Sequence, residues 1–430
     1  MSKLTETDSP QPKRTSVVVL GAGVIGVTTA YFLQKAGFDV TVVERNNDVG
    51  QGTSKANGGL VSVGCSHPWN SPAVPMTVFK SWGKVDSPFL FRAAAFPGVI
   101  PWAYQYLMQC RQDAYHNASI ASVCLLSESL RQLREVVEET QLEYDQLRHG
   151  VLKFFKDPEE VKKDAAHAAV LASYGLEYRE LTRDQVIETE PFLKAQASHI
   201  GGGLYFPSDE SGDACKFTQA LASHCEKNGV KFKLNTEIKD IEIERGVISG
   251  IRTDKGLMTA DRYVLAMGVF SKIAGQKLGL KLPVYPVKGY SVTIETHGDI
   301  ALPKVPFIDW GRKMGVTAFG TRIRAGGTAE FTGYNTDPTP ERWAVLHRNL
   351  LELFPGLQNS PHVTPWAGLR PVTPDGMPVI GRSPIDNLYL NTGHGPQGWG
   401  LSCGSAALLT DIMIDAKPRV STKPFAYERF

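Results

Sequence analysis

Three kinds of residue in this sequence have the type and spacing to do chemistry. They are glycines that let a phosphate reach a helix end, an acid placed for a sugar diol, and an arginine placed for a carboxylate. Gly21, Gly23 and Gly26 follow the apolar run 17–20 at the spacing G-x-G-x-x-G. Helical periodicity then covers residues 24–36 as far as Gly37, and a second apolar run, 40–43, ends in Glu44. That order predicts a β-α-β unit with an acidic end, the layout of a dinucleotide site. Gly21 makes the tight turn, Gly23 leaves room for a pyrophosphate against the backbone, and Gly26 lets helix pack on strand. The bare N–H groups and positive dipole end of the helix hold the phosphates. Glu44 is placed to accept hydrogen bonds from a ribose. The stretch 52–60 that follows is rich in small residues and backbone donors, which suits close contact with a cofactor.

The other chemistry lies near the end of the chain. Arg370 sits between an apolar run and the proline-fixed turn Val-Thr-Pro-Asp-Gly (372–376). An arginine there is either a bidentate clamp for a carboxylate or one half of an ion pair with Asp375; the residues alone favour neither. In the segment 387–402 a strand runs into Asn-Thr-Gly-His-Gly-Pro (391–396) and then into a helix reaching about residue 414. Its N-terminal N–H groups suit a delocalised negative charge such as the N1–C2=O edge of a reduced flavin. His394 is a proton donor or simply a turn residue, and the second is the commoner fate of a lone histidine.

These residues need a scaffold that the chain is long enough to supply. With 430 residues the expectation is two or three domain-sized units, and 42% hydrophobic content supports a sizeable core. A net charge of +2 gives no reason to invoke nucleic acid. The six cysteines form no C-x-x-C pair, which argues against a disulfide framework or a zinc site and for a reducing compartment. No metal site is expected. Residues 1–15 read as a flexible polar tail rather than a signal peptide. Helices are expected at 118–147, 158–173 with Asp157 as cap, 182–190, 215–228 and 340–354. Strands are expected at 151–155, 201–206, 230–234, 237–243 and 263–268, with long strands at 284–297 and 313–331. Residues 64–75 read as a proline-fixed loop.

The pattern resembles the D-amino-acid oxidase superfamily of FAD enzymes, and within it the bacterial D-amino-acid dehydrogenases. Pro-Val-Lys-Gly-Tyr (286–290), Gly-Leu-Arg-Pro-Val-Thr-Pro-Asp-Gly (368–376) and Asn-Thr-Gly-His-Gly (391–395) are the specific parts. Matching segments run through nearly the whole chain after residue 15. The resemblance implies an α/β fold. A Rossmann-type FAD-binding domain would be built from 16–89, 201–285 and 356–416. An α+β substrate domain with a large, mostly antiparallel sheet would come from 90–200 and 286–355, leaving 417–430 as a C-terminal tail. It implies FAD contacts from Gly21, Gly23, Gly26, Glu44, Arg45, Thr53, Ser54, Asn57, Gly58 and Leu60. It adds Ile238 and Gly268, then Gly393, Gly395, Gly398 and Trp399. It implies a catalytic set of Arg370 and Tyr290 on the substrate carboxylate, with His394. FAD is expected to be noncovalent, because Gly368 stands where the covalent sarcosine-oxidase branch has its cysteine. Arg324 falls where that branch has the lysine used for oxygen activation. His67 is a departure from the relatives; it touches substrate or caps the proline-rich turn, and the second is preferred here.

The function that the resemblance implies is oxidation of a D-amino acid by hydride transfer to flavin N5. The imine then hydrolyses to a 2-oxo acid and ammonia. The enzyme alternatives are an oxygen-using D-amino-acid or glycine oxidase and an L-amino-acid deaminase; a flavin-binding protein without turnover is a rival of another class. The expected partners are an amino-acid substrate and a quinone or other electron acceptor. The apolar, aromatic stretch 89–108, interrupted by Arg92, Pro97 and Pro101, suggests peripheral membrane contact, with Trp102, Tyr104 and Tyr106 near the interface. The competing reading makes it core or a substrate lid. Localisation would be cytoplasmic, or peripheral on the inner membrane face.

Overall fold

The computed structural model describes residues 14–81, 87, 89–296, 300–360 and 362–430, so most of the expected N-terminal tail lies outside the described residues. The predicted β-α-β unit is present: strand Ser16–Leu20, helix Val24–Lys35 and strand Asp39–Val43. The two strands pair in parallel from Ser16↔Asp39 to Leu20↔Val43. Val17, Val18, Val19 and Leu20 are all buried. A parallel strand covered on both faces needs such a run.

This pair lies within a six-stranded sheet, in the order Val379–Arg382, Leu388–Thr392, Arg262–Leu265, Ser16–Leu20, Asp39–Val43 and Lys231–Lys233. Only the edge strand Val379–Arg382 runs antiparallel to its neighbour. The chain goes one way from Ser16–Leu20 to Asp39–Val43 and later returns to the other side with Arg262–Leu265. A crevice at the carboxyl ends of the strands follows from that switch in order.

The second sheet has nine strands and is mostly antiparallel. It runs Val363–Val372, Tyr285–Glu295, Arg322–Phe331, Met314–Phe319, Phe307–Asp309, Val151–Phe155, Gly202–Phe206 and Arg179–Leu181, with Phe89–Phe91 beside Arg322–Phe331. Helix Pro340–Leu353 packs its apolar stripe, Leu346 and Leu350, under Tyr290, Val292 and Ile294.

Several expectations about chain placement are corrected. Gly202–Phe206 and Val363–Val372 fall in segments expected to build the cofactor domain, yet both pair in the second sheet. The stretch 313–331 is not one strand but a hairpin, turning at Gly320 (φ +57°) so that Phe319 opposes Arg322. The long helix is Gln112–Thr140, earlier than expected. It belongs to the core beneath the cofactor sheet, where Val123, Leu126, Leu130 and Leu133 meet Leu401 and Leu408. Gly404 allows that approach: a Cβ there would come 2.7 Å from the Ser129 Cβ. Asp157 does cap helix Pro158–Ala172, accepting from the Glu159 N–H.

The stretch 89–108 forms strand Phe89–Phe91 and helix Phe96–Gln109, and it is two-sided. Trp102, expected at an interface, is buried and donates to the Val372 carbonyl at 3.0 Å. Tyr106 stacks on it and donates to the Trp69 carbonyl. Tyr104 points outward with Ile100, Leu107 and Met108. Among the described residues no helix is long and apolar enough to cross a membrane.

Candidate active site

A cavity of about 1200 Å³ lies between the two sheets, and nearly every residue singled out in the sequence lines it. At one end is the glycine turn. Gly21 has φ +103° and donates to the Val43 carbonyl; a Cβ there would sit 2.7 Å from the Ala266 oxygen. Gly26 does not line the cavity, and a Cβ on it would come 1.9 Å from the Gly21 oxygen, so its work is packing. Gly23, by contrast, has only the Ser54 Oγ near a Cβ position, at 3.7 Å, leaving its backbone open to a ligand. It is the N-cap of helix Val24–Lys35 and supplies no side-chain cap; Ser54 Oγ accepts from the Val24 N–H instead. The Glu44 carboxylate accepts from the Ala22 N–H at 2.9 Å and from the backbone and side chain of Asn46. It therefore ties the glycine turn to the second strand.

Arg45, Thr53, Asn57, Gly58, Leu60, Ile238 and Gly268 line the same cavity. Thr53 donates to the Leu369 carbonyl, so the 52–60 loop is stitched to the second sheet. A second helix N-terminus, that of Gly398–Met413, faces in, with Gly395, Gly398 and Trp399 in the wall. Gly393 does not line it; with φ +79° and Thr373 Cγ2 2.8 Å from a Cβ position, it makes the turn. His394 Nε2 and Trp399 Nε1 are buried without a hydrogen-bond partner, although both residues face the cavity. Burial pushes the His394 imidazole down to about 3, so it is neutral at physiological pH and is no acid there. These orphaned polar atoms, the open Gly23 backbone and two helix N-termini fit an extended flavin dinucleotide.

Arg370 is at the other end. Its guanidinium lies so close over Gly289 that a Cβ there would sit 2.2 Å from Cζ. Nη1 donates to the Thr328 carbonyl at 2.8 Å, and Cζ lies 5.4 Å from the Trp69 ring centroid. No carboxylate pairs with it among the described residues: Asp375, its candidate partner, is taken by Arg429 at 2.6 Å. Burial pushes Arg370 down to about 10, which leaves it charged at neutral pH.

Tyr290 is not beside it. Arg370 opposes Val287 and Tyr290 opposes Ala367, so their side chains leave opposite faces of the sheet. The Tyr290 hydroxyl bonds to Glu330 and Thr339 behind the cavity wall. Arg324 also misses the cavity; it is pinned by Thr293 and the Asn57 carbonyl.

The sequence reading missed Trp69 and a polar group made by Lys153, Asp164 and His167, which joins His67 in the wall. Lys153 and Phe155 stand two apart, on one face of a wholly buried strand, and a lysine in such a run was the available signal. Asp209 was also missed; it accepts from Ser62 Oγ and the Val63 and Gly64 N–H groups, and burial raises it to about 7.

Glu44→Ala should loosen the glycine turn and weaken flavin binding by roughly 1.5–3 kcal/mol, the worth of hydrogen bonds to a charged group. Flavin fluorescence on serial dilution measures this; retention equal to that of the unaltered protein contradicts the placement.

The profile described as FAD dependent oxidoreductase (DAO) matches residues 16–412. The chain is 40% identical over 414 residues to the D-amino acid dehydrogenase of Granulibacter bethesdensis, covering 96% of this chain and 99% of that one. It is 39% identical to the enzyme of the same name from Rhodopseudomonas palustris, over 96% and 97%. Among solved structures, L-proline dehydrogenase from P. horikoshii superposes with a TM-score of 0.77 at 22% identity, covering 98% of each chain. Glycine oxidase from Geobacillus kaustophilus gives 0.75 at 23%, covering 97% and 99%. The expected fold class thus holds, and the chain belongs to the DAO family of FAD-dependent oxidoreductases.

Proposed function

We propose that the chain is a D-amino acid dehydrogenase that converts a D-amino acid to the imino acid and passes the electrons to a quinone. The imino acid then hydrolyses to a 2-oxo acid and ammonia. The observation that carries the reading is Arg370: a charged guanidinium that no carboxylate pairs among the described residues, in the same cavity as the dinucleotide cradle. The curated relatives named D-amino acid dehydrogenase support the substrate class.

Bound FAD supplies the two-electron acceptor for the substrate Cα–H bond. The chain supplies binding and orientation. Gly21, Gly23, Glu44, Ser54 and the first turn of Val24–Lys35 would hold the dinucleotide. His394, Trp399 and the first turn of Gly398–Met413 would meet the flavin's polar edge, with His394 acting as a neutral hydrogen-bonding group. Arg370 grips the substrate carboxylate and fixes the angle at which Cα is presented, while Trp69 and Trp366 exclude water beside it. Tyr290 is a positioning residue: on the reverse face it ties strand Tyr285–Glu295, the neighbour of the Arg370 strand, to Glu330 and Thr339. Attachment of FAD is noncovalent in this reading. Cys65 is the cysteine among the cavity-lining residues, and burial raises its thiol to about 12, so no thiolate stands ready.

The reading extends to a peripheral contact with the cytoplasmic face of the membrane. Ile100, Tyr104, Leu107 and Met108 lie on one side of helix Phe96–Gln109, and Met76 and Phe79 of helix Val74–Ser81 are exposed as well. The inner side of helix Phe96–Gln109 carries Trp102, which bonds the Val372 carbonyl, and Tyr106, which holds the loop of Trp69. An exposed apolar face connected to the active-site wall suits delivery of electrons to a lipid-soluble acceptor.

Two outcomes are expected. Arg370→Leu should lower kcat/KM for D-alanine by about 100-fold or more, ~3 kcal/mol, with FAD still bound. Steady-state kinetics beside the flavin absorbance check this, and near-normal kinetics remove the clamp. The reduced enzyme should be reoxidised faster by a soluble quinone than by air, and should float with anionic vesicles. Tyr104→Asp with Leu107→Asp should abolish flotation. Rapid reaction with oxygen and none with quinone points to an oxidase instead.

A further inference from the structure

One wall of the cavity holds charge and polarity that neither the cofactor cradle nor the Arg370 clamp uses. Lys153 is almost wholly buried, and its ammonium lies 2.9 Å from both oxygens of Asp164 and 4.0 Å from the Trp310 ring centroid. Asp164 in turn lies 3.4 Å from His67 Nε2, beyond good hydrogen-bond geometry. The rings of His67 and His167 are 4.5 Å apart, and Tyr115 stacks on His167 at 5.3 Å. His67, Tyr115, Lys153, Asp164, His167 and Trp310 all line the cavity that Arg370 lines. The two ends are joined by a short piece of loop: Trp69, two residues beyond His67, is the ring over the Arg370 guanidinium.

Two features set this group apart from a structural ion pair. Lys153 and Asp164 already neutralise one another. The group's polar atoms are not all satisfied: among the described residues Nδ1 of His67 and Nε2 of His167 are buried without a hydrogen-bond partner, and His67 Nε2 has only the long 3.4 Å approach to Asp164. Burial and the neighbouring Lys153 hold His67 below its ordinary range, and burial takes His167 down to about 4, so both rings are neutral. A neutral imidazole presents one N–H donor and one nitrogen acceptor. Buried polar groups left bare in a binding cavity are a device for discrimination, because a ligand that lacks the matching group leaves them unpaired.

We propose that His67, backed by Asp164, Lys153 and His167, selects D-amino acids whose side chain carries a neutral hydrogen-bonding group, such as a carboxamide, over aliphatic ones of the same size. The assignment rests on the D-amino acid reading above. It gives the polar wall a function in specificity and leaves the chemistry at Cα to the cofactor end.

The test uses the FAD-loaded enzyme and two near-isosteric pairs: D-asparagine against D-leucine, and D-glutamine against D-methionine. The unaltered enzyme should favour the polar member of at least one pair by about tenfold or more in kcat/KM. His67→Leu should bring that ratio to one or below, and His67→Gln should restore part of it. Loss of mere structural support would lower both members alike and leave the ratio standing, which overturns the proposal. So does an unaltered enzyme that turns over D-alanine but prefers the apolar member of both pairs. If neither D-alanine nor any of the four reduces the flavin, the underlying reading fails and takes this inference with it.

Discussion

A guanidinium seated on glycine, with a carbonyl on one side and no counter-ion among the described residues, is the constraint on which this site depends. Withdrawing an unpaired charge from water, even in part, is costly, and a lone arginine in a cavity wall persists only where the surroundings hold it in place. Here several features do. Gly289 leaves the space that any side chain would fill, and Gly368 leaves room for Trp366 alongside. The strand Arg322–Phe331 shifts register between its partners Lys288 and Tyr290, and Thr328 within that shift has φ +55°. The irregularity carries the Thr328 carbonyl that Arg370 bonds to. A bulge next to an active site commonly re-aims a group in this way. On the reverse face Glu330 gathers Arg92, Tyr290 and Lys288, so the strand cannot relax away.

The two sheets divide the work accordingly. The six-stranded sheet ends in a crevice where two helix N-termini, those of Val24–Lys35 and Gly398–Met413, offer backbone donors to one ligand. The nine-stranded sheet turns its glycine-rich face toward that crevice: Gly326 approaches Gly58, and Gly315 approaches Leu60. Small residues there bring the sheet close to the 52–60 loop, and Ser291 and Thr317 then bond its carbonyls at Ala56 and Gly58. The Gly21 end and the Arg370 end of the cavity are thereby linked by hydrogen bonds between the 52–60 loop and the nine-stranded sheet.

Much of this was legible in the sequence, for reasons that are local. The β-α-β unit shows because a doubly buried parallel strand and a glycine fingerprint leave separate marks on adjacent residues. Asp157 shows as a cap because capping is decided within a turn. Arg370 shows because proline and glycine fix its surroundings. What did not show depends on pairing across long separations. A strand such as 202–206 or 363–372 reads the same in either sheet, so its partner is invisible. Tyr290 was placed beside Arg370 because both lie in strong motifs; only the register, Val287 against Arg370, reveals that they face apart. Trp102 and Tyr106 looked interfacial by composition, yet the helix has two faces and they lie on the inner one. His67, Lys153, Asp164 and His167 carry no shared spacing, and the fold alone brings them together.

The central claim is that the carboxylate clamp and the flavin cradle serve one D-amino acid. It is tested most directly by anaerobic titration of the FAD-loaded protein with D-alanine and L-alanine, followed by flavin absorbance. The account predicts that the D enantiomer bleaches the flavin and that the L enantiomer does not, with bleaching by D-alanine lost in Arg370→Leu. A flavin that no D-amino acid bleaches, or that L-alanine bleaches equally well, contradicts it.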